Sequence, residues 1–263
     1  MSAAPSEEEI VLRALGYPFA RPSTSVVVVG DRELELIELD MLDLGSSRVR
    51  AESAEGSLAD ACEDAGLPAD ALGGRRTPVL AYGSNASPSG MRWKFPEARQ
   101  AVTPLLRGTL GGLDVVYSAH IAVYGSVPAT LQRSPGTTVE TFVALLTEAQ
   151  LERVAAWEIN GRHQLLRDVE LTLEGADAPG EVGAFVSRHG CLTAGGVEIA
   201  LAEVPAHGRR YQALGQPEVL RLVRDRVAPG TALEEFILAN VRDYDVARAH
   251  TAKLRADATE LAL

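Results

Sequence analysis

Two segments of the chain carry residue types that can do chemistry. In Val79–Asn85 an apolar run ends in the small polar turn Tyr82-Gly83-Ser84-Asn85. Glycine reaches backbone conformations closed to other residues, so successive N–H groups of Gly83, Ser84 and Asn85 can converge on a carboxylate as an anion-binding nest. An ordinary strand-to-helix cap also fits the same residues, because Ser and Asn favour helix starts. The second segment, Leu151–Glu158, places residues 151, 154, 155 and 158 at i, i+3, i+4 and i+7, the inward stripe of an amphipathic helix. Glu158 is the carboxylate on that stripe. It sits either at a hydrated rim or in a pocket where desolvation moves a carboxyl towards a working base. Its place in the last helical turn, at the negative end of the dipole, is mildly unfavourable and invites a functional reason.

Other constellations are weaker. His189 and Cys191 stand two apart, but an alternating strand puts such a pair on one face without supplying a third, orienting group. The histidines at 120, 163, 189, 207 and 250 show no His-x-x-x-His spacing, and two distant cysteines, Cys62 and Cys191, cannot make a zinc knuckle, so no metal site is expected. Both cysteines read as packing residues rather than a disulfide. Gly108, Gly111 and Gly112 do not fit the dinucleotide fingerprint and read as turn residues.

The elements that must position these residues fall into two parts. Residues 1–77 hold 15 acidic and 7 basic residues against 21 and 18 in 78–263, which marks 1–77 as an N-terminal α/β extension packed on the core. It contains a helix over Glu7–Leu15, a hairpin from Val26–Val29 through Gly30-Asp31 to Leu34–Ile37, and a helix over Ser57–Ala65 capped by Ser57. From Pro78 the pattern is strand-rich: 79–82, 105–110, 113–117, 121–124 and 139–146. A helix then starts at Thr147, where Thr147 and Gln150 have capping-box spacing, and ends near Asn160-Gly161. Further strands are expected over 164–173, 183–187 and 197–204, and helices over 217–227 and 233–253.

The 263 residues include 46% hydrophobic and 23% charged residues, the balance of a folded globular chain rather than a disordered one. A net charge of -11 argues against nucleic acid as a partner. No apolar run approaches the roughly 20 residues of a membrane-spanning helix, so no membrane partner is expected. The start Met1-Ser2-Ala3-Ala4-Pro5 followed by Glu7-Glu8-Glu9 lacks the features of a secretory signal, and a cytoplasmic location is expected.

A third small-residue turn, Gly125-Ser126-Val127-Pro128-Ala129-Thr130-Leu131, lies between the two chemical segments. The ordered set of Ala81–Asn85, this turn, the strand Val143–Leu146 and a helix ending in Glu158 resembles the γ-glutamylcyclotransferase-like superfamily over roughly residues 78–175. The resemblance implies an α+β fold, a small mixed β-barrel with flanking helices, over 78–263. It implies an enzyme in which Tyr82, Gly83, Ser84 and Asn85 bind a small-molecule γ-glutamyl substrate and Glu158 is the acid/base. Its reaction is intramolecular cyclisation to 5-oxoproline with release of an amine or amino acid. It brings no metal and no cofactor. The chain departs from the family pattern at Ile159, where glycine is common, and around Arg162-His163, where an aromatic residue is often found. Two alternatives stand beside this activity: a non-catalytic small-molecule binding or interaction protein on the same fold, and a cyclotransferase for a γ-glutamyl amine or a protected biosynthetic intermediate.

Overall fold

The computed structural model describes residues 4–52, 54–95 and 102–263. It has a mixed α/β architecture with a large mixed sheet; fourteen strands and seven α-helices lie among the described residues. The chain divides into two compact units. The central unit is Phe19–Gly111 with Glu140–Val186; the terminal unit takes the residues up to Pro18 with Gly112–Val139 and Ser187–Leu263. The position 77/78 falls inside the central unit.

In the central unit the strands are β1 (Val26–Val29), β2 (Arg32–Glu38), β3 (Arg48–Ala51), β4 (Ala54–Ser57), β5 (Arg76–Ala81), the first part of β6 (Val102–Tyr117), the last part of β7 (Ala129–Thr147), β8 (Gly161–Arg167), β9 (Glu170–Leu173) and β10 (Glu181–Ser187). All but β9, which pairs with β6, run in the order β4-β3-β2-β1-β6-β7-β5-β10-β8. That path has two ends, so the sheet is open and the small closed barrel implied by the resemblance does not form. Pairing is antiparallel from β4 to β1, between β1 and β6 and between β5 and β7, whereas β5 and β10 run parallel.

The four valines of β1 explain why this part of the sheet is covered on both faces. Side chains alternate along a strand. Val26 and Val28 enter a core with Val79, Leu105 and Phe142, and Val27 and Val29 enter a second core with Leu34, Leu58 and Cys62. Each buried valine contributes about 1.5–3 kcal/mol. Gly30, at φ 58°, makes the turn into β2, as the hairpin pattern requires. The helix α2 (Leu58–Asp64) is capped by the Ser57 side chain, which accepts from the Asp60 N–H. It lays Leu58 and Cys62 on the second core.

Several sequence expectations are corrected. Residues 105–117 form one strand rather than two, because Gly111 stays in the ladder opposite Glu170 of β9 instead of turning the chain; Gly108 is no turn residue either, since a Cβ there would lie 2.1 Å from the Thr172 carbonyl oxygen on β9. Residues 121–124 form a turn and not a strand, since Ala122 and Ser126, and Gly125 and Ala122, bond to each other locally. The helix expected over 233–253 is two helices, α6 (Leu233–Arg242) and α7 (Tyr244–Arg255). Asp243 separates them by accepting from the Asp245 and Val246 N–H groups, the N-cap role that aspartate favours.

The terminal unit contains α1 (Glu7–Leu15), β11 (Thr193–Ala194), β12 (Val197–Leu201), β13 (Ala206–His207), β14 (Gln212–Leu214), α5 (Gln216–Val227), α6 and α7. Gly125, at φ 85°, lets the chain pass against α6 and α1; a Cβ there would meet Val241 and Ile237 at 2.9 and 3.0 Å. Cys191 is fully buried, which pushes its thiol up to about 12. Asp114 is buried against Arg209, with Oδ1 and Oδ2 accepting from Nε at 3.2 and 3.1 Å. Ser118 Oγ lies 2.6 Å from both His120 Nδ1 and Ser187 Oγ.

Burial, with a smaller contribution from His189, pushes His120 down to about 3, so this imidazole is neutral in the folded protein. A histidine in the unfolded chain titrates near 6.5. Between those values the unfolded state binds a proton that the folded state does not. His120 therefore leaves stability intact above pH ~6.5 and lowers it as pH falls through the window, by up to ~1.4 kcal/mol per pH unit. Denaturant titrations at pH 7 and pH 5 are expected to show a drop in stability that is shallower in His120→Gln; equal drops would refute the burial of a neutral imidazole.

Candidate functional site

The site is built by the antiparallel ladder of β5 and β7 and by the helix α4 (Glu148–Trp157) that follows β7. Arg76 pairs with Thr147 and Ala81 with Phe142. The end of β5 that leads to Tyr82 is thus far from the point where α4 begins. The helix runs back. From Thr147 to Glu158 it rises about 16 Å at 1.5 Å per residue, while the strand from Arg76 to Ala81 spans about 17 Å. Leu151 and Val154 hold α4 on the core beside Val79 and Ala81.

The start of α4 is fixed by the expected capping box: Thr147 accepts from the Gln150 N–H at 3.3 Å and Gln150 accepts from the Thr147 N–H at 2.9 Å. The Gln150 amide also donates to the Val102 carbonyl and the Thr103 hydroxyl, both at 3.2 Å. The inward stripe differs from the expected one, because Ala155 is exposed and only Leu151, Val154 and Glu158 turn inward to any degree. Glu158 is also not inside the helix. It is the C-cap, with φ −84° and ψ 46°, and its N–H closes the last turn on Val154.

At the other end, β5 leads through Tyr82 and Gly83 into a short 3-10 turn, Ser84–Ala86. Gly83 has φ −107°, so the left-handed backbone expected of a nest is not adopted. The Tyr82 ring is buried and its hydroxyl donates to the Phe185 carbonyl. The turn is followed by α3 (Pro88–Lys94). This helix lies close against the turn because residue 90 is glycine: a Cβ there would stand 2.1 Å from the Ser84 carbonyl oxygen.

The two segments singled out in the sequence meet here. Asn85 Nδ2 donates to Glu158 Oε1 at 3.1 Å. A third residue, which no sequence pattern marks, completes the cluster. Lys94 Nζ donates to Asn85 Oδ1 at 2.5 Å and also to Glu158 Oε1. The Lys94 side chain is only 10% exposed and that of Glu158 is 27% exposed. Arg153 Nε, on α4 ahead of the C-cap, donates to the Lys94 carbonyl at 2.9 Å and ties the end of α3 to α4. A lysine at the end of a helix reads as a solvated dipole partner, which is why pattern alone passes over it. His163 is exposed, with its ring 5.2 Å from that of Phe185.

Two clefts of the central unit lie apart from this cluster. One of about 1030 Å³ is bordered by Met41, Ser46, Asp60 and Arg76, and one of about 830 Å³ by Asp40, Leu106 and Leu145. Neither is lined by residues 82–85, 94 or 158. Among the described residues no group of three or more His, Cys, Asp or Glu side chains is placed to hold a metal, and no helix is long and apolar enough to cross a membrane. The turn Gly125–Leu131 belongs to the terminal unit. Compared with protein-family models, curated proteins and solved structures, the chain matches none.

The close approach at Gly90 makes a signed prediction. In a helix interior Gly→Ala ordinarily stabilises by up to ~1 kcal/mol. Here the added methyl must push α3 off the turn, and Gly90→Ala is expected to destabilise by roughly 1–3 kcal/mol, as overpacking does. A variant melting at or above the parent temperature would contradict the contact with Ser84.

Proposed function

We propose that the chain is a γ-glutamylcyclotransferase-type enzyme that converts a γ-glutamyl amide to 5-oxoproline and a free amine or amino acid. The observation that carries the reading is the 3.1 Å contact between Asn85 and Glu158, which joins the Tyr-Gly-Ser-Asn turn to the carboxylate across 73 residues of sequence. In this reading Glu158 takes a proton from the substrate α-ammonium, and the freed amine attacks the γ-carbonyl carbon. A C–N bond closes the five-membered ring and the original γ-amide C–N bond breaks. Two protons pass from the attacking nitrogen to the departing one, each by way of Glu158, so the carboxylate ends as it began. Attacker and target share one molecule. The protein's task is then to hold a near-attack geometry, an effect that reaches ~7 kcal/mol or more. The turn 83–85 would meet the substrate carboxylate with the Ser84 hydroxyl and the Asn85 amide rather than with a nest of N–H groups, since Gly83 stands at φ −107°.

A second reading has one observation in its favour. Glu158 Oε1 already receives two donors from within the protein, as the carboxylate of a purely structural ion pair would. On that reading the fold binds a small molecule or a partner without chemistry. The residues Ile159, Arg162 and His163 leave room for a third, in which the leaving group is an amine or a protected intermediate rather than an amino acid.

Glu158→Gln separates the first reading from the second. The amide keeps shape and hydrogen bonding but cannot exchange the proton. Turnover, followed as 5-oxoproline from a panel of γ-glutamyl amino acids and amines, is expected to fall roughly 100- to 10,000-fold with the fold retained. A folded Glu158→Gln protein that forms 5-oxoproline at the parent rate would remove Glu158 from the mechanism.

A further inference from the structure

We infer that Lys94 is a positioning residue for Glu158: with Asn85 it holds Oε1 and leaves Oε2 as the oxygen that receives and returns the proton. The inference rests on the cyclotransferase reading above. Its ground is the closed triangle of Lys94, Asn85 and Glu158, in which Lys94 Nζ reaches both partners and Asn85 Nδ2 reaches the same carboxylate oxygen as the ammonium does. Among the described residues no hydrogen bond reaches Oε2. A carboxylate on a helix C-cap has several rotamers, and the two donors on one oxygen select one of them.

Three features of the chain support a built arrangement rather than a surface ion pair. The Lys94 side chain is 10% exposed, so its ammonium has exchanged most of its water for these two acceptors. Its backbone is fixed by Arg153. The helix that carries it is brought against the turn by Gly90. An exposed pair has none of these and contributes little.

The test uses the full chain. Lys94→Met keeps the length and apolar stem of the side chain and removes the charge and donors. Its kcat for 5-oxoproline formation is expected to fall roughly 100-fold, as a misplaced reacting group does, with KM changed by less than about threefold. Lys94→Ala leaves space for a small ammonium ion, and added ethylammonium is expected to restore part of kcat, whereas tetramethylammonium, which has no N–H donor, does not. A merely structural role would lower the melting temperature and show no such rescue. Lys94→Met with kcat within about twofold of the parent, alongside an inactive Glu158→Gln, would overturn the role of Lys94 and leave the cyclotransferase reading standing. Loss of activity in Lys94→Ala that ethylammonium does not restore would also overturn it. A parent protein that forms no 5-oxoproline overturns the cyclotransferase reading itself, and this role with it.

Discussion

The six consecutive residue pairs between β5 and β7, from Arg76↔Thr147 to Ala81↔Phe142, decide where two segments leave the central sheet, and the candidate site follows from that register. One segment leaves at Tyr82 and the other at Thr147, at opposite ends of the ladder. Only a connection of the right length brings them together again. The helix α4 supplies it, because about three turns of helix cover the distance of about five strand residues. A register slip of one residue would turn Val79 and Ala81 out of the core and move the Tyr82 turn off the level of Glu158. The capping box at Thr147 therefore matters beyond helix stability: it fixes where the helix starts, and so where its last carboxylate arrives.

The polar cluster answers the constraint that this geometry creates. A carboxylate brought to the end of a helix faces the negative end of the dipole, and partial burial removes some of its water. The Lys94 ammonium and the Asn85 amide compensate both. They also commit one of the two carboxylate oxygens. The same arrangement thus has a stabilising and a chemical side, and the substitutions at 94 and 158 act on them differently: one removes the compensating charge, the other the charge that needs it.

Much of this was legible in the sequence where a local pattern decides the structure. The four valines of β1, the Gly30 turn, the Ser57 cap and the Thr147–Gln150 box each act over a few residues and produce the elements expected of them. Glu158 and Asn85 could be named in advance, but their contact could not, since it depends on the register of β5 on β7. Lys94 was invisible because nothing in its neighbours distinguishes a buried helix-end lysine from a solvated one. The roles of Gly108 and Gly90 escape local pattern for a related reason: each admits another backbone, Thr172 or Ser84, that lies distant in sequence or across a turn. The open sheet likewise follows from strand pairings that no single segment specifies.

The division of the chain has a consequence for how it folds as it is made. The central unit is built from two stretches separated by Gly112–Val139, and the terminal unit from three. Within the terminal unit, Arg242 of α6 pairs with Glu7 of α1, so the first helix meets its partner only after more than two hundred further residues have been synthesised. In the central unit β1 must wait for β6, and β5 for both β7 and β10. Such long-range closures carry a high contact order and a slow search. A ribosome-bound chain stalled before Phe142 lacks part of both units, and it holds the strand Val26–Val29, apolar on both faces, without its full cover. During synthesis that valine strand needs protection from pairing with another chain.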